Sequence, residues 1–369
     1  MSVTHFDAAA GRTLGVEEEL MLVDAETNES VPRVEEVLAA LEGTELRARV
    51  KMELFASVVE LTTPVCADAA ELARELERGR AALVRAVEPL GVRVLAAGTH
   101  PLSVAEEQEI VPEQRYQEFL ETIGPAVRRQ GVNGVHVHVG VPDGDACVRA
   151  LEWLLPWLPV TLALSANSPY IGGVETGYRS TRAELLSQLP RAGLPPRIGS
   201  FARWEALVER LAALGIAPDA TRYWWDVRPH PSFGTLEVRV PDQQTDVRRS
   251  IAFAALVQAL VAVALEQPPR PERPGDRIVV RENRYRAALR GLDAELAHPD
   301  KDSPVPAREL AGELLELVRP AARALGSEPL LEPLASLEDE ASRQLEIGGR
   351  DGLAAVCADL VERSVPKAT

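Results

Sequence analysis

Leu14-Gly15-Val16-Glu17-Glu18-Glu19-Leu20-Met21-Leu22-Val23 decides how this chain is read. The apolar flanks are those of a β-strand. A strand sends alternate side chains to opposite faces, so Glu17 and Glu19 point the same way, about 7 Å apart. Two like charges that close on a half-buried sheet cost stability unless a cation answers them, and no lysine stands near them in the sequence. Oxygen donors in that setting point to a divalent metal, and a metal to an enzyme.

Three further elements carry the same kind of chemistry. In Lys51-Met52-Glu53-Leu54-Phe55-Ala56-Ser57-Val58-Val59-Glu60-Leu61 the two glutamates are seven residues apart. That spacing is two turns and one face of a helix. In a strand, which Val58-Val59 and Thr62-Thr63 favour, a bend near Ser57 must restore the common face. The plainer reading is a pair of exposed carboxylates on an edge element. In Gly134-Val135-His136-Val137-His138-Val139-Gly140 both imidazoles share one strand face. That geometry suits a metal or a substrate, although stacked core histidines produce it too. A magnesium site prefers oxygen, which leaves room for at most one of the two histidines; manganese tolerates nitrogen better. Finally, Tyr223–Pro229 and Gly234–Val240 read as paired strands, in which Glu237 and Arg239 share a face, as do Asp226 and Arg228. They are either surface salt bridges or a metal glutamate beside arginines that grip anionic oxygens.

A surface explanation must be repeated for each element. A single cleft with two or three metal ions and a polyphosphate explains all of them together. Neither GxxxxGK[ST] nor GxGxxG occurs, so a nucleotide would be held through metals and arginines.

The net charge of −16 argues against nucleic acid and anionic membranes as partners. It leaves ATP open, because ions and arginines can invert the field inside one cleft. With 46% hydrophobic and 26% charged residues the chain can fill a core. Cys66, Cys147 and Cys357 are widely spaced and odd in number, which reads as reduced, buried thiols. No signal peptide is visible, and Ile251–Leu265 is short for a membrane span and carries Gln258. It reads as a buried helix, and the expected location is the cytoplasm.

Strands are expected at 13–23, 50–63, 92–97, 132–141, 223–228 and 235–240, and helices at 31–42, 67–90, 115–123 and 145–164. Residues 165–218, rich in Gly, Pro and Ser, read as mobile loops. From Asp246 the pattern is helical, broken at 267–274 and 299–306. Without regular βαβ alternation this is an α+β fold, a mainly antiparallel sheet with helices packed on its outer face.

Taken in order, the GVEEEL strand, the Glu53…Glu60 element, Gly98-Thr99-His100-Pro101, the HVHVG strand, Ala163–Pro169, Thr176–Arg182 and the YWWDVRP…GTLEVR pair resemble the type 2 glutamate–cysteine ligase family. Its members are carboxylate–amine ligases with the glutamine synthetase catalytic core. The resemblance spans residues 13–265; residues 266–369 match the family in length and helical character. It implies a single catalytic domain over 1–369, an ATP-dependent ligase working through an acyl phosphate, and glutamate and cysteine as substrates. It also implies magnesium, with manganese as an option, and a homodimer. Glu19, Glu53 and Glu60 would hold one ion. Glu17, one of His136 and His138, and Glu237 would hold another between the ATP phosphates. Arg239 would meet the transferred phosphoryl group, and Arg182 and Arg228 a phosphate or a substrate carboxylate. The segment after Asn167 is the expected lid. Other readings are the same mechanism with another amine, a metal-dependent hydrolase using the HxH strand, and a non-catalytic binding protein.

Overall fold

The glutamate run forms β1 (Leu14–Asp24), the longest strand of the computed structural model, which describes residues 5–7, 12–271 and 273–367. Around it lie β2 (Val50–Met52), β3 (Val58–Thr62), β4 (Val92–Leu95), β5 (Val135–Gly140), β6 (Val227–His230) and β7 (Thr235–Val238). The sheet order is β6-β7-β5-β1-β3-β2, with β4 pairing the far end of β1. Every pairing in it is antiparallel.

The register follows from alternation. Leu14, Val16, Glu18 and Leu20 are buried on one face, while Gly15, Glu17 and Glu19 lie half-buried on the other. A slip of one residue would turn Val16 and Leu20 into the cleft, forfeiting about 1.5–3 kcal/mol for each. Val135, Val137, Val139, Leu236 and Val238 extend the apolar back face across β5 and β7.

Helices cover that back face. Val247–Glu266 is buried along nearly its whole length, as its continuous apolar run requires. Ala69–Val87 starts at Asp68, whose carboxylate accepts the Glu71 amide, and its buried stripe contains Leu72, Leu76 and Leu83. The helical run 144–165 breaks into Gly144–Leu154 and Leu158–Ser165 around Pro156 and Pro159. Gly144–Ser165 and Val247–Glu266 are long and apolar enough to cross a membrane, but most of each is buried inside the protein. All three cysteines are buried free thiols.

The structure departs from the sequence expectation in three places. Residues 50–63 are two short strands with Glu53 in the turn between them, not one bent strand. Residues 165–218 contain the helices Thr181–Ser187 and Phe201–Ala213. The second is capped by Ser200 and anchored by buried Trp204, signals that the loop-like average composition obscures. Residues 299–306 include one strand of a small hairpin, Glu295–Ala297 with Pro304–Pro306.

Candidate active site

Cross-strand register assembles the polar face. On β1, Glu17 stands opposite His136 of β5, and Glu19 opposite Glu60 of β3. Glu237 of β7 faces His138 on one side and Arg228 of β6 on the other. Lys51 of β2 faces Glu60. Glu53 joins from the turn after β2, its Oε2 accepting the Leu54 amide at 2.9 Å. That turn is tied down where Arg115 Nη2 and Tyr116 Oη donate to the Met52 carbonyl, at 3.1 and 3.3 Å. The two strands of the hairpin therefore bring Glu53 and Glu60 to one face.

The cleft has two electrostatic halves. In the first, Glu237 is gripped by Arg228, Nε to Oε2 at 2.6 Å and Nη2 to Oε1 at 3.1 Å, and by Arg239 Nη1 at 2.5 Å. Burial opposes its ionisation, but the two guanidinium groups and His138 outweigh that and hold its carboxyl well below the usual range. Glu17 lies 3.1 Å from His136 Nδ1 and 3.5 Å from His138 Nε2. There too burial is outweighed, by the hydrogen bonds and charge of both imidazoles, and the pKa falls. Burial, then Arg239, lowers the pKa of His136. For His138, Glu17 and Glu237 overcome burial and raise it.

In the second half carboxylates outnumber the cations beside them. Burial, then Glu60 and Glu19, pushes the Glu53 carboxyl up to about 8. Burial and then Glu17 raise Glu60, with Lys51 working against them.

The donor set fits a divalent cation. Glu17, His138 and Glu237 present ligand atoms within 4.8 Å of one another, the one set among the described residues that converges so closely. The Nε2 atoms of His136 and His138 are buried and make no well-formed hydrogen bond, their nearest carboxylate oxygens, on Glu19 and Glu17, standing at 3.7 and 3.5 Å. His138 Nδ1 is 3.0 Å from Thr235 Oγ1, which orients the ring with Nε2 toward Glu17. Glu19, Glu53 and Glu60 share the face without converging to the same degree.

Of the expected site residues, Glu17, Glu19, Glu53, Glu60, His136, His138, Glu237 and Arg239 meet at this face. Arg239 keeps 17% of its side chain open to solvent. Two arginines have other duties. Arg228 spends its remaining nitrogen on the carbonyls of Ala220, Thr221 and Tyr223. Its pair with Glu237 is buried, not the solvated salt bridge that the plainer reading foresaw. Arg182 is enclosed, donating to the carbonyls of Val240 and Arg239 at 3.1 and 2.9 Å. A Cβ at Gly134 would fall 2.1 Å from its Nη2, so any side chain there would displace the Arg182 guanidinium from these carbonyls.

Sequence reading missed two groups. Lys51 reaches Glu60 Oε1 at 3.0 Å, although nothing beside Glu17 or Glu19 in the chain announces it. Asp242 is wholly buried and accepts from the Asn167 amide, Ser168 Oγ and Ser180 Oγ. A Cβ at Gly98 would meet Asp242 and Ser168 at 2.9 Å. The motifs around 98, 167 and 180 therefore converge behind the site, and with Arg182 they fix the backbone that leaves Arg239. The segment after Asn167 is pinned as well, with the Ser168 amide on the Arg179 carbonyl and Thr99 Oγ1 on the Tyr170 carbonyl.

This fold is that of glutamate–cysteine ligases. It superposes on the Francisella tularensis glutamate–cysteine ligase in complex with AMP with a TM-score of 0.70 at 14% identity, over 98% of this chain and 89% of that one. A bifunctional glutathione synthetase from Pasteurella multocida follows at 0.68 and 15%, over 96% of this chain and 52% of that one. The chain itself belongs to glutamate–cysteine ligase family 2, whose profile matches residues 13–352, and is a ligase. Two chains of Rubrobacter xylanophilus, provisionally named glutamate–cysteine ligases 2-1 and 2-3, are 41% and 43% identical to it, over 97% and 95% of its length and 96% of theirs.

Proposed function

We propose that the protein is an ATP-dependent carboxylate–amine ligase that activates glutamate as an acyl phosphate and joins it to cysteine, forming γ-glutamylcysteine. The observation that carries this reading is the convergence of Glu17, His138 and Glu237 beside a partly open Arg239. The AMP complex of the Francisella tularensis enzyme supports a nucleotide at this kind of fold. The sheet face draws its groups from residues 17 to 239, and C-terminal groups pack against the same core, Gln344 on Asn167 and Ser364 on Ala96. That supports one catalytic domain.

In the first step a glutamate carboxylate oxygen attacks the γ-phosphorus of ATP and ADP leaves. In the second the amine nitrogen attacks the acyl carbon, phosphate leaves, and the nitrogen loses a proton. An anion attacking an anion needs preorganised positive charge. Held by Glu17, His138 and Glu237, magnesium or manganese would supply charge neutralisation at the phosphates. Arg239, anchored through Nη1 to Glu237, presents its guanidinium to the transferring phosphoryl oxygens. Arg228 fixes the orientation of the Glu237 carboxylate, and Thr235 that of His138. Arg182 keeps the Arg239 backbone in place.

The test is ADP release by the purified protein with ATP, magnesium and glutamate, screened across single amines. The expected result is release stimulated by cysteine and lost in Glu237→Gln. Glutamate-dependent turnover that responds to another amine instead keeps the mechanism and removes cysteine. No turnover with any pair overturns the ligase reading at this site.

A further inference from the structure

The acidic half of the cleft is answered by a lysine in a chain that otherwise uses arginine. Of 40 basic residues only Lys51, Lys301 and Lys367 are lysines. Lys51 projects from β2 in register with Glu60, its side chain 53% exposed where that of Glu60 is 12% exposed. The neighbouring carboxylates are held differently. Arg228 grips Glu237 with two nitrogens, and Arg80 does the same to Glu18 on the far side of the sheet. A planar fork locks a carboxylate in place. An ammonium on a four-carbon stem makes a point contact, and at an exposed position it leaves at little cost. Lys51 also feels the charge of Glu17 and Glu53, so its field reaches past the one carboxylate it touches.

We propose that Lys51 is a displaceable counter-ion: it holds Glu60 in the metal-free protein and swings out into solvent when a divalent cation takes Glu19, Glu53 and Glu60. The inference rests on the ligase reading of those three carboxylates. Entry of the cation exchanges one positive group for another, so Lys51 sets the ion concentration at which this half of the site fills. The other half, where arginines hold Glu237, fills independently of that exchange. The choice of lysine then has a reason, because an arginine fork on Glu60 would resist release.

Mn²⁺ binding to the nucleotide-free, full-length protein tests this, followed by the electron paramagnetic resonance signal of the free aqueous ion. Lys51→Ala is expected to tighten the weaker class of ions by about fivefold or more, the scale of an exposed ion pair. Lys51→Arg, which keeps the charge, is expected to weaken the same class by a similar factor. If both variants bind as the wild type does, Lys51 is a bystander and the proposal falls. If alanine tightens binding while arginine matches the wild type, charge acts through space and displacement is overturned. If no variant nor the wild type binds Mn²⁺, the metal-dependent ligase reading fails and this inference goes with it. Thermal unfolding of both variants confirms that each is folded, and the arginine arm stands alone if alanine is not.

Discussion

Glu18 shares a strand with Glu17 and Glu19 but faces the opposite side of the sheet, and the two sides handle negative charge differently. Glu18 is fully buried. Arg80 from the helix Ala69–Val87 pairs with both of its oxygens, and Ser250 Oγ and Gln243 Nε2 donate to Oε1 at 2.6 and 3.0 Å. The remaining Arg80 donors reach the carbonyls of Thr245 and Gln244. Every charge there has a permanent partner. On the cleft face exposed Lys51 pairs with Glu60 alone, Glu53 has Arg115 as its main cation, and burial with repulsion from Glu60 and Glu19 still pushes Glu53 up to about 8. Glu18, like Glu237 on the cleft face, brings its arginine with it, whereas Glu53 and Glu60 are left short of charge. The contrast is the physical argument for an exogenous cation on the cleft side.

The strongest way to break the comparison is to remove the structural cation. Arg80→Met leaves Glu18 buried and unpaired, and should lower stability by about 3–5 kcal/mol, read from the denaturant midpoint. Pairing it with Glu18→Met should restore most of that loss, because an apolar pair of similar volume replaces the ion pair. A single variant within about 1 kcal/mol of the wild type would show that Glu18 is not held as a charge, and the distinction between the two faces would collapse.

The cleft side should answer with the opposite sign. Glu53→Gln removes one of three crowded carboxyls, so the metal-free protein should gain on the order of 1 kcal/mol in stability. Ligation should nevertheless fall about 100-fold or more, the scale of losing one electrostatic contact to a transition state. Glu53→Gln that lowers stability and leaves turnover intact would make Glu53 a structural residue like Glu18.

The sequence showed the cleft face better than the back. Alternation in residues 14–23 and 134–140 placed Glu17, Glu19, His136 and His138 on one face, because strand geometry has a fixed period of two. The pairing of Arg228 with Glu237 lay within reach of the same reasoning, since a short turn sets hairpin register. Glu18 showed nothing by itself, because its partner Arg80 is 62 residues away and Gln243 and Ser250 more than 220. Asp242 likewise gathers Asn167, Ser168 and Ser180 from across the chain. Contacts within an element follow from local periodicity, whereas polar networks between elements depend on how the helices dock. The helix Phe201–Ala213 was hidden for another reason: glycines and prolines on either side of it masked a well-capped apolar stripe.

The subtlest difference between the faces is their response to pH. Glu53 holds its proton up to about 8 in the folded protein, against 4.5 for a free glutamate. Between those values the folded state binds more protons than the unfolded chain, so stability contributed by this group is full below pH 4.5 and declines as pH rises toward 8. Glu60, also raised, adds to the decline from the low end of the same window. Glu17 and Glu237, both lowered, act the other way and only on the acid side of the usual carboxylate range. Histidines 136 and 138 shift in opposite directions and partly offset one another. Subtracting the pH profile of Glu53→Gln from that of the wild type, both stripped of metal by a chelator, isolates the Glu53 contribution. With solvent reaching the acidic set at exposed Lys51 and screening its charges, the difference should be on the order of 2 kcal/mol across the window. Saturating magnesium should abolish most of it, because a bound cation replaces the proton and reverses the sign of the local field. A flat difference curve in the metal-free protein would mean that the cleft carboxylates are already neutralised, as Glu18 is.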